Sequence, residues 1–436
     1  MEWYVVLAGM IGLVMVLFLA GMPVAFAFLL VNVVGIYFFM GGQDGLSLLV
    51  TTAFASVASF ILLPIPLFIL MGEVMFHTGI ARRALDALDK WIGRVPGRLS
   101  LLAVGSGTVF AGLSGSSMAT TAMLASTLVP EMKRKGYSYI MSIGAISAAG
   151  GLAVIIPPSA LGVLLAALAE ISVARLLMAG VVPGLCMAVL YIVYIVGRVK
   201  LQPALAPSYE VARVGTREKM MALWQFLPLG FIVFMVTGVI FVGVATPTEA
   251  AALGVVGTTV VAAMYRELTA PVIYKSLKAT AEVTVVVMLI IVGSKIFSQI
   301  LAFTGGSRGL VELVTGLAAP PLVILIMMML VIAVLGCFID QISIMMITVP
   351  IFFPMANALG FDPIWFGMLM LLNLEVASTT PPFGLQLFVL KGVVPDVSMG
   401  DIYRSCLPFV LLDFLNLAIM MAFPAVVLTL PGLMFK

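Results

Sequence analysis

Gly150-Gly-Leu-Ala-Val-Ile-Ile-Pro-Pro-Ser159 interrupts one long apolar run, and 224 residues later Glu375-Val-Ala-Ser-Thr-Thr-Pro-Pro-Phe-Gly384 interrupts another. A Pro-Pro pair removes two backbone donors, so a helix cannot pass unbroken through either place. The same shift of 224 carries Pro23 onto Pro247, Gly112 onto Gly336, Pro130 onto Pro354 and Gly136 onto Gly360. Five coincidences of glycine and proline at one offset point to an internal duplication. Between about residues 60 and 100 the register is lost, so the match runs in patches.

Composition identifies the solvent. Hydrophobic residues make up 63% of the chain and charged residues 9%, with a mean hydropathy of +1.25. Soluble domains carry roughly 45–50% and about 25%, so a soluble fold is excluded. At about 20 apolar residues per span, the 436 residues hold about a dozen such segments and no sizeable soluble domain. The net charge of +3 is too small to suggest a nucleic-acid partner. Cys186, Cys337 and Cys406 have neither disulfide nor metal spacing. Met1-Glu2-Trp3-Tyr4 lacks the basic start of a cleaved signal peptide.

The expected class is therefore an all-α integral membrane protein with two inverted-topology repeats. The first repeat is 1–197, with an amphipathic arm helix at 79–97, a hairpin at 98–130 and a broken helix at 139–170. A polar linker, 198–223, leads to the second repeat, 224–436, with a hairpin at 318–355 and a broken helix at 362–390. If each hairpin enters and leaves on one face, each half crosses five times and the second half is inverted. That gives about ten crossings plus two re-entrant hairpins. With the termini outside, 18 of the 22 Lys and Arg residues then fall on one side, which the positive-inside rule makes cytoplasmic. In the arm, Ile80, Ala84, Leu85, Leu88, Trp91 and Ile92 take one face and Arg82, Arg83, Asp86, Asp89 and Lys90 the other. It is expected to lie in the membrane interface, the alternative being burial against another subunit.

Irregular backbone at membrane depth is tolerated only inside protein or along a cavity. Besides the two Pro-Pro breaks it occurs at Phe110-Ala-Gly-Leu-Ser-Gly-Ser-Ser117 and Gly336-Cys-Phe-Ile-Asp-Gln-Ile-Ser343. Freed carbonyls suit a cation, and restarted helices present N–H groups to an anion. Paired breaks in two inverted halves are the pattern of a transporter binding site.

These four motifs in this order resemble the large membrane subunit of tripartite ATP-independent periplasmic (TRAP) transporters, and the resemblance covers essentially the whole chain. It implies a scaffold, a mobile elevator domain carrying both hairpins, and Na⁺-coupled uptake of an organic acid through a bacterial inner membrane. It further implies a small four-helix membrane subunit, expected here as a separate polypeptide, and a periplasmic substrate-binding protein. Carried over by position, the first Na⁺ site matches Ala111, Ser114, Ala153, Ile156 and Pro157, mostly through backbone carbonyls. The second is its image at Gly336, Phe338, Ala377, Thr380 and Pro381, and the acid of the second hairpin matches Asp340.

Expected substrate contacts are Ser116, Ser117, Asp340, Asn373, Thr379 and Lys295. A helix-orienting hydrogen bond is the alternative for Asn373, and neutralisation of Glu282 or Asp340 that for Lys295. Ser159 lies beyond the first break, and its loss is expected to be mild. No organic cofactor and no enzymatic activity are expected. A hydrolase using Ser116 or Ser117 would lack a base, because His77 lies on a different segment. The strongest rival is a stand-alone carrier of the same architecture; a channel suits two hairpins closed over a midplane site less well. A C4-dicarboxylate, a sialic acid, another sugar acid or a zwitterion would each suit the polar groups present.

Overall fold

The structure is a computed structural model that describes residues 2–93, 95–114, 116–207, 215–316, 319–382 and 384–434. The linker stretch 208–214 and Ala318 of the expected second hairpin lie outside the described residues, as do the side chains at 43, 44, 112–114 and 225.

Every regular element among the described residues is a helix. The first ten are α1 (Trp3–Leu19), α2 (Val24–Phe39), α3 (Gln43–Val57), α4 (Pro64–His77), α5 (Ile80–Trp91), α6 (Arg98–Ser114), α7 (Ser117–Arg134), α8 (Ala145–Ile155, entered through a π turn at Ile140–Gly144), α9 (Ala160–Ala169) and α10 (Val173–Leu201). There follow α11 (Thr216–Val233), α12 (Val239–Val242), α13 (Pro247–Met264), α14 (Ala270–Phe303), α15 (Gly306–Gly316) and α16 (Pro321–Gly336). The last are α17 (Gln341–Ala358), α18 (Pro363–Thr379), α19 (Leu385–Val393), α20 (Met399–Ala422) and α21 (Pro424–Leu433).

Element bounds follow the offset of 224 where residue identities do not. Adding it to α5 gives 304–315, and α15 runs Gly306–Gly316; adding it to α7 gives 341–358, the bounds of α17. The stretch 60–100 thus keeps its register as helices although its residues do not match. Apolar residues interchange freely inside a span, whereas caps and breakers fix its ends. Ser116 and Asp340, 224 apart, both cap the second helix of a hairpin. Gly136 and Gly360 both take positive φ just after that helix, at +75° and +78°, a conformation that costs glycine little. One difference is local: Pro64 and Pro66 restart the helix between α3 and α4, whereas the corresponding α14 is continuous over 34 residues.

At the centre stand α8 and α18, which pack on each other. All of α8 and all of α18 beyond Pro363 are buried. Six described helices are long and apolar enough to cross a membrane, and two bent pairs raise the number to eight. The eight do not match the expected ten crossings one for one: α17, a leg of the expected second hairpin, is among them, whereas α1, α2 and α18, with 17, 16 and 17 residues, fall short. At 1.5 Å per residue they reach roughly 25 Å, less than a hydrocarbon core of about 30 Å.

Much of the apolar face of α5 is turned to the chain itself, with Trp91 at its end exposed. Ile80, Ala81, Ala84, Leu85 and Ala87 are buried, and the helix packs on α6 and α11. Arg83 reaches Glu267 at 2.7 Å and lies 4.7 Å from the Tyr265 ring centroid. Arg98 ties the end of α5 to the hairpin through Asp89 at 2.8 Å. The sequence pattern gave the amphipathic face, but not what would cover it.

Candidate functional site

Helical hydrogen bonding runs from N–H of residue i to C=O of residue i−4. Because Pro157 and Pro158 have no N–H, the carbonyls of Ala153 and Val154 lose their helical donors. Ile156 still donates to Leu152 at 2.9 Å. The Val154 carbonyl is then taken by the Ser159 hydroxyl at 2.5 Å, and Ser159 Oγ also accepts from Gly162 N at 3.0 Å, capping α9. Ser159 therefore bridges the break: its hydroxyl replaces the donor that Pro158 lacks. Ser159→Ala should lower stability by about 1–3 kcal/mol, since a buried carbonyl loses its partner. Thermal unfolding in nanodiscs checks this; an unchanged midpoint would mean the bridge is dispensable.

At the second break Pro381 and Pro382 deprive Ala377 and Ser378 in the same way, and Ala377 is the position 224 beyond Ala153. Both Pro-Pro peptides are cis. Thr380 N reaches Ala377 O only at 3.4 Å, while the Thr380 carbonyl accepts from Gly384 N at 3.1 Å. The hydroxyls of Thr379 and Thr380 turn back onto Val376 O at 3.0 and 2.6 Å. Gly336 lies directly on Ala377: a Cβ there would fall within 2.8 Å of the Ala377 Cα. The tip of the second hairpin and the second break thus meet.

The first hairpin makes a matching contact. Ser100 donates to Met141 O, and Gly107 lies against the Ala149 carbonyl, so α6 runs parallel to α8. Ala111 and Ala153 follow one turn further along each helix, and both are buried. Ile156 is half-buried and Pro157 buried. Ser114 ends α6, and its side chain lies outside the description. Phe338 is 63% exposed, and since its side chain has no oxygen any ligand it offers is its carbonyl.

Most of the polar residues expected to touch substrate serve in the fold as helix caps or ties. Ser116 Oγ accepts from Ala119 N at 3.3 Å, and the neighbouring Ser117 is buried. Asp340 accepts from Ile342 N and Ser343 N, each at 3.0 Å, and from the Ser343 hydroxyl. It caps α17 and is not ion-paired with Lys295. Asn373 is fully buried and donates to Met329 O at 2.6 Å, tying α18 to α16. Two glutamines that are not among the expected contacts lie near the second break. Gln341 donates to Leu374 O at 2.9 Å and to Glu375 at 3.3 Å, while Gln386 donates to Ser147 O at 2.5 Å and links α19 to α8. The signal that could have found them is an amide next to a helix break in an apolar run.

A cavity of about 910 Å³ lies apart from the hairpin tips, between α3, α9, α14 and α17, with Lys295, Glu170, Ser294, Gln299, Asn357 and Thr52 in its wall. Of the expected substrate contacts only Lys295 lines it. Its partner is Glu170, not Glu282 or Asp340. Glu282 instead pairs with Lys278 at 3.8 Å, one turn away.

The family model "Tripartite ATP-independent periplasmic transporter, DctM component" matches residues 11–426, which include both breaks and both hairpins. The chain belongs to that family. A C4-dicarboxylate TRAP transporter large permease protein of Pseudomonas aeruginosa is 36% identical over 89% of this chain and 90% of its own length. An ectoine TRAP transporter large permease protein of Halomonas elongata is 30% identical over 99% of each. The solved YdaH transporter of Alcanivorax borkumensis, 13% identical, shares the fold with a TM-score of 0.64 over 88% of this chain and 90% of that one. These relatives are named as permeases and a transporter, not as enzymes. In this TRAP large permease the hydrolase alternative accordingly lapses: Ser116 Oγ is a helix cap, and His77 sits 3.9 Å from Glu73 on its own helix.

Proposed function

We propose that this TRAP permease is the substrate-conducting subunit of a Na⁺-coupled uptake system for an organic acid in a bacterial inner membrane. The observation that carries the proposal is the pair of backbone breaks 224 residues apart, where prolines remove the i+4 helical donors of the Ala153 and Ala377 carbonyls and leave Ala377 one long contact from Thr380 N at 3.4 Å. Neutral carbonyl oxygens are hard donors, suited to a monovalent hard cation, and each break has a hairpin tip packed close by. Na⁺, a co-transported substrate, would be held at Ala111, Ser114, Ala153, Ile156 and Pro157 and again at Gly336, Phe338, Ala377, Thr380 and Pro381. The organic acid would lie between the hairpin tips, near Ser116, Ser117, Asp340 and Thr379.

The two inverted repeats would form one elevator: α6–α9 and α16–α19 move, while the arm α5 and the long α14 belong to the scaffold. Coincident element bounds at one offset support the duplication, and the charge distribution supports the inversion. The binding protein and the small membrane subunit would deliver substrate from the periplasmic side. The names of the relatives make a C4-dicarboxylate or a zwitterion such as ectoine the first substrates to try.

The test is uptake of radiolabelled succinate and ectoine into liposomes carrying the permease, with and without its small subunit and binding protein, under an inward Na⁺ gradient. Uptake should need the partners and the gradient; full uptake by the permease alone would favour a stand-alone carrier. For topology, single cysteines at Lys133 and Glu312, 64% and 65% exposed, should react from opposite sides of intact cells. Lys133 should be cytoplasmic and Glu312 periplasmic. Labelling of both from the same side would sink the inverted repeat.

A further inference from the structure

The 910 Å³ cavity has one cation and one carboxylate among the described residues of its wall, Lys295 and Glu170, and they are paired with each other. They come from different parts of the fold, α14 and the end of α9, 125 residues apart. The lysine side chain is only 28% exposed, whereas the glutamate is 76% exposed. Lysine is thus held in the wall, and its partner is a carboxylate that water reaches easily.

Glu170 is also unusual in its backbone. It caps α9 with φ +57° and ψ +36°, a left-handed conformation uncommon for a residue with a side chain. Exposed ion pairs contribute little to stability, so stability alone is a weak reason for the pair. Around it the wall mixes neutral polar groups with alanine, leucine, isoleucine and proline side chains: Ser294 is buried, Thr52 donates to Gln299 at 3.0 Å, and Asn357 lines the cavity from α17. A volume of several hundred cubic ångströms, lined by apolar side chains with hydroxyls, amides and one lysine–glutamate pair set among them, suits a small hydroxylated or dicarboxylic acid whose carboxylate takes the place of Glu170.

We infer that this cavity is an outer anion-binding site, distinct from the hairpin tips, in which the Glu170 carboxylate occupies the place on Lys295 that an incoming substrate carboxylate takes. The inference rests on the proposed transport of organic acids, and it adds the place where the acid is first held. The cavity lies at the ends of α9, α14 and α17, the side assigned to the periplasm by the charge distribution. An arriving acid would displace Glu170 and release α9, which carries the far side of the first break, from α14. Arrival of substrate would thereby loosen the contact between the moving and fixed parts.

An internal competitor lowers apparent affinity by the fraction of time it fills the site. If Glu170 holds Lys295 about nine-tenths of the time, its removal should tighten binding about tenfold. The experiment titrates acetate, succinate and gluconate against the purified permease in nanodiscs, read by saturation-transfer NMR. Glu170→Gln should bind the best of the three about tenfold more tightly than the unaltered permease. Glu170→Asp, whose shorter side chain draws back from Lys295, should shift affinity the same way, and it serves if the first variant unfolds. Lys295→Gln should lose binding at this site while keeping its melting temperature. If neither Glu170 variant binds any of the three acids more tightly, the inference is overturned. Loss of Na⁺-driven uptake with these binding shifts intact would count against the transport proposal and leave the outer site standing.

Discussion

Valine in place of Gly336 should cut Na⁺-driven uptake by about two orders of magnitude while the permease still inserts and folds. The side of Gly336 that would carry a Cβ is filled by Ala377, with the Ala377 Cα 2.8 Å from that position and its carbonyl carbon at 3.5 Å. Two of the nearest atoms are backbone, so no rotamer change makes room. The hairpin tip must then lift from the second break. Overpacking of this kind costs about 1–3 kcal/mol, and each 1.4 kcal/mol is roughly a factor of ten. The loss should fall on uptake because the displaced surfaces are the two that converge at the proposed second Na⁺ site. Gly9→Val, where no atom lies within 4 Å, is the matched control and should transport normally. Gly336→Ala combined with Ala377→Gly moves one methyl across the contact and should recover part of the activity. Equal uptake by Gly336→Val and the unaltered permease would mean that this contact is not part of the transport path.

Alanine in place of Pro157 or Pro381 should raise the Na⁺ concentration for half-maximal uptake roughly tenfold to a hundredfold. Each substitution restores an N–H where the helix now ends, at the residue four beyond Ala153 or Ala377. The helix can then extend, and its new hydrogen bond competes with the ion for the carbonyl. Losing one oxygen ligand should cost on the order of 1–3 kcal/mol, the scale of a charge-assisted polar contact. Ser159→Ala separates this effect from simple damage to the break. It removes the donor to Val154, so stability should fall while Na⁺ dependence stays close to that of the unaltered permease. Uptake measured against external Na⁺ at matched expression decides the matter. Unchanged dependence in both proline variants would place the ions elsewhere.

The sequence by itself determined the membrane class, the positions of both breaks, and the carbonyls that the breaks expose. These follow from local chemistry: apolar composition sets the solvent, and a proline acts on its own backbone and on the turn before it. Even the loss of residue register between 60 and 100 concealed less than it suggested, because α5 and α15 keep the offset of 224 within two residues. Tertiary structure decided which side chains meet. The pairing of Lys295 with Glu170 spans 125 residues, and nothing in either segment names the other. The apolar face of α5 is legible as a face, but that α6 and α11 cover much of it is decided only by the packed chain. Ser159 reads as a residue after a break until the fold bends it back onto Val154. In lipid, an unpaired carbonyl is expensive enough that a nearby hydroxyl is drawn to it, and the bend of 44° between the two halves of the first broken helix is the geometry in which it does so.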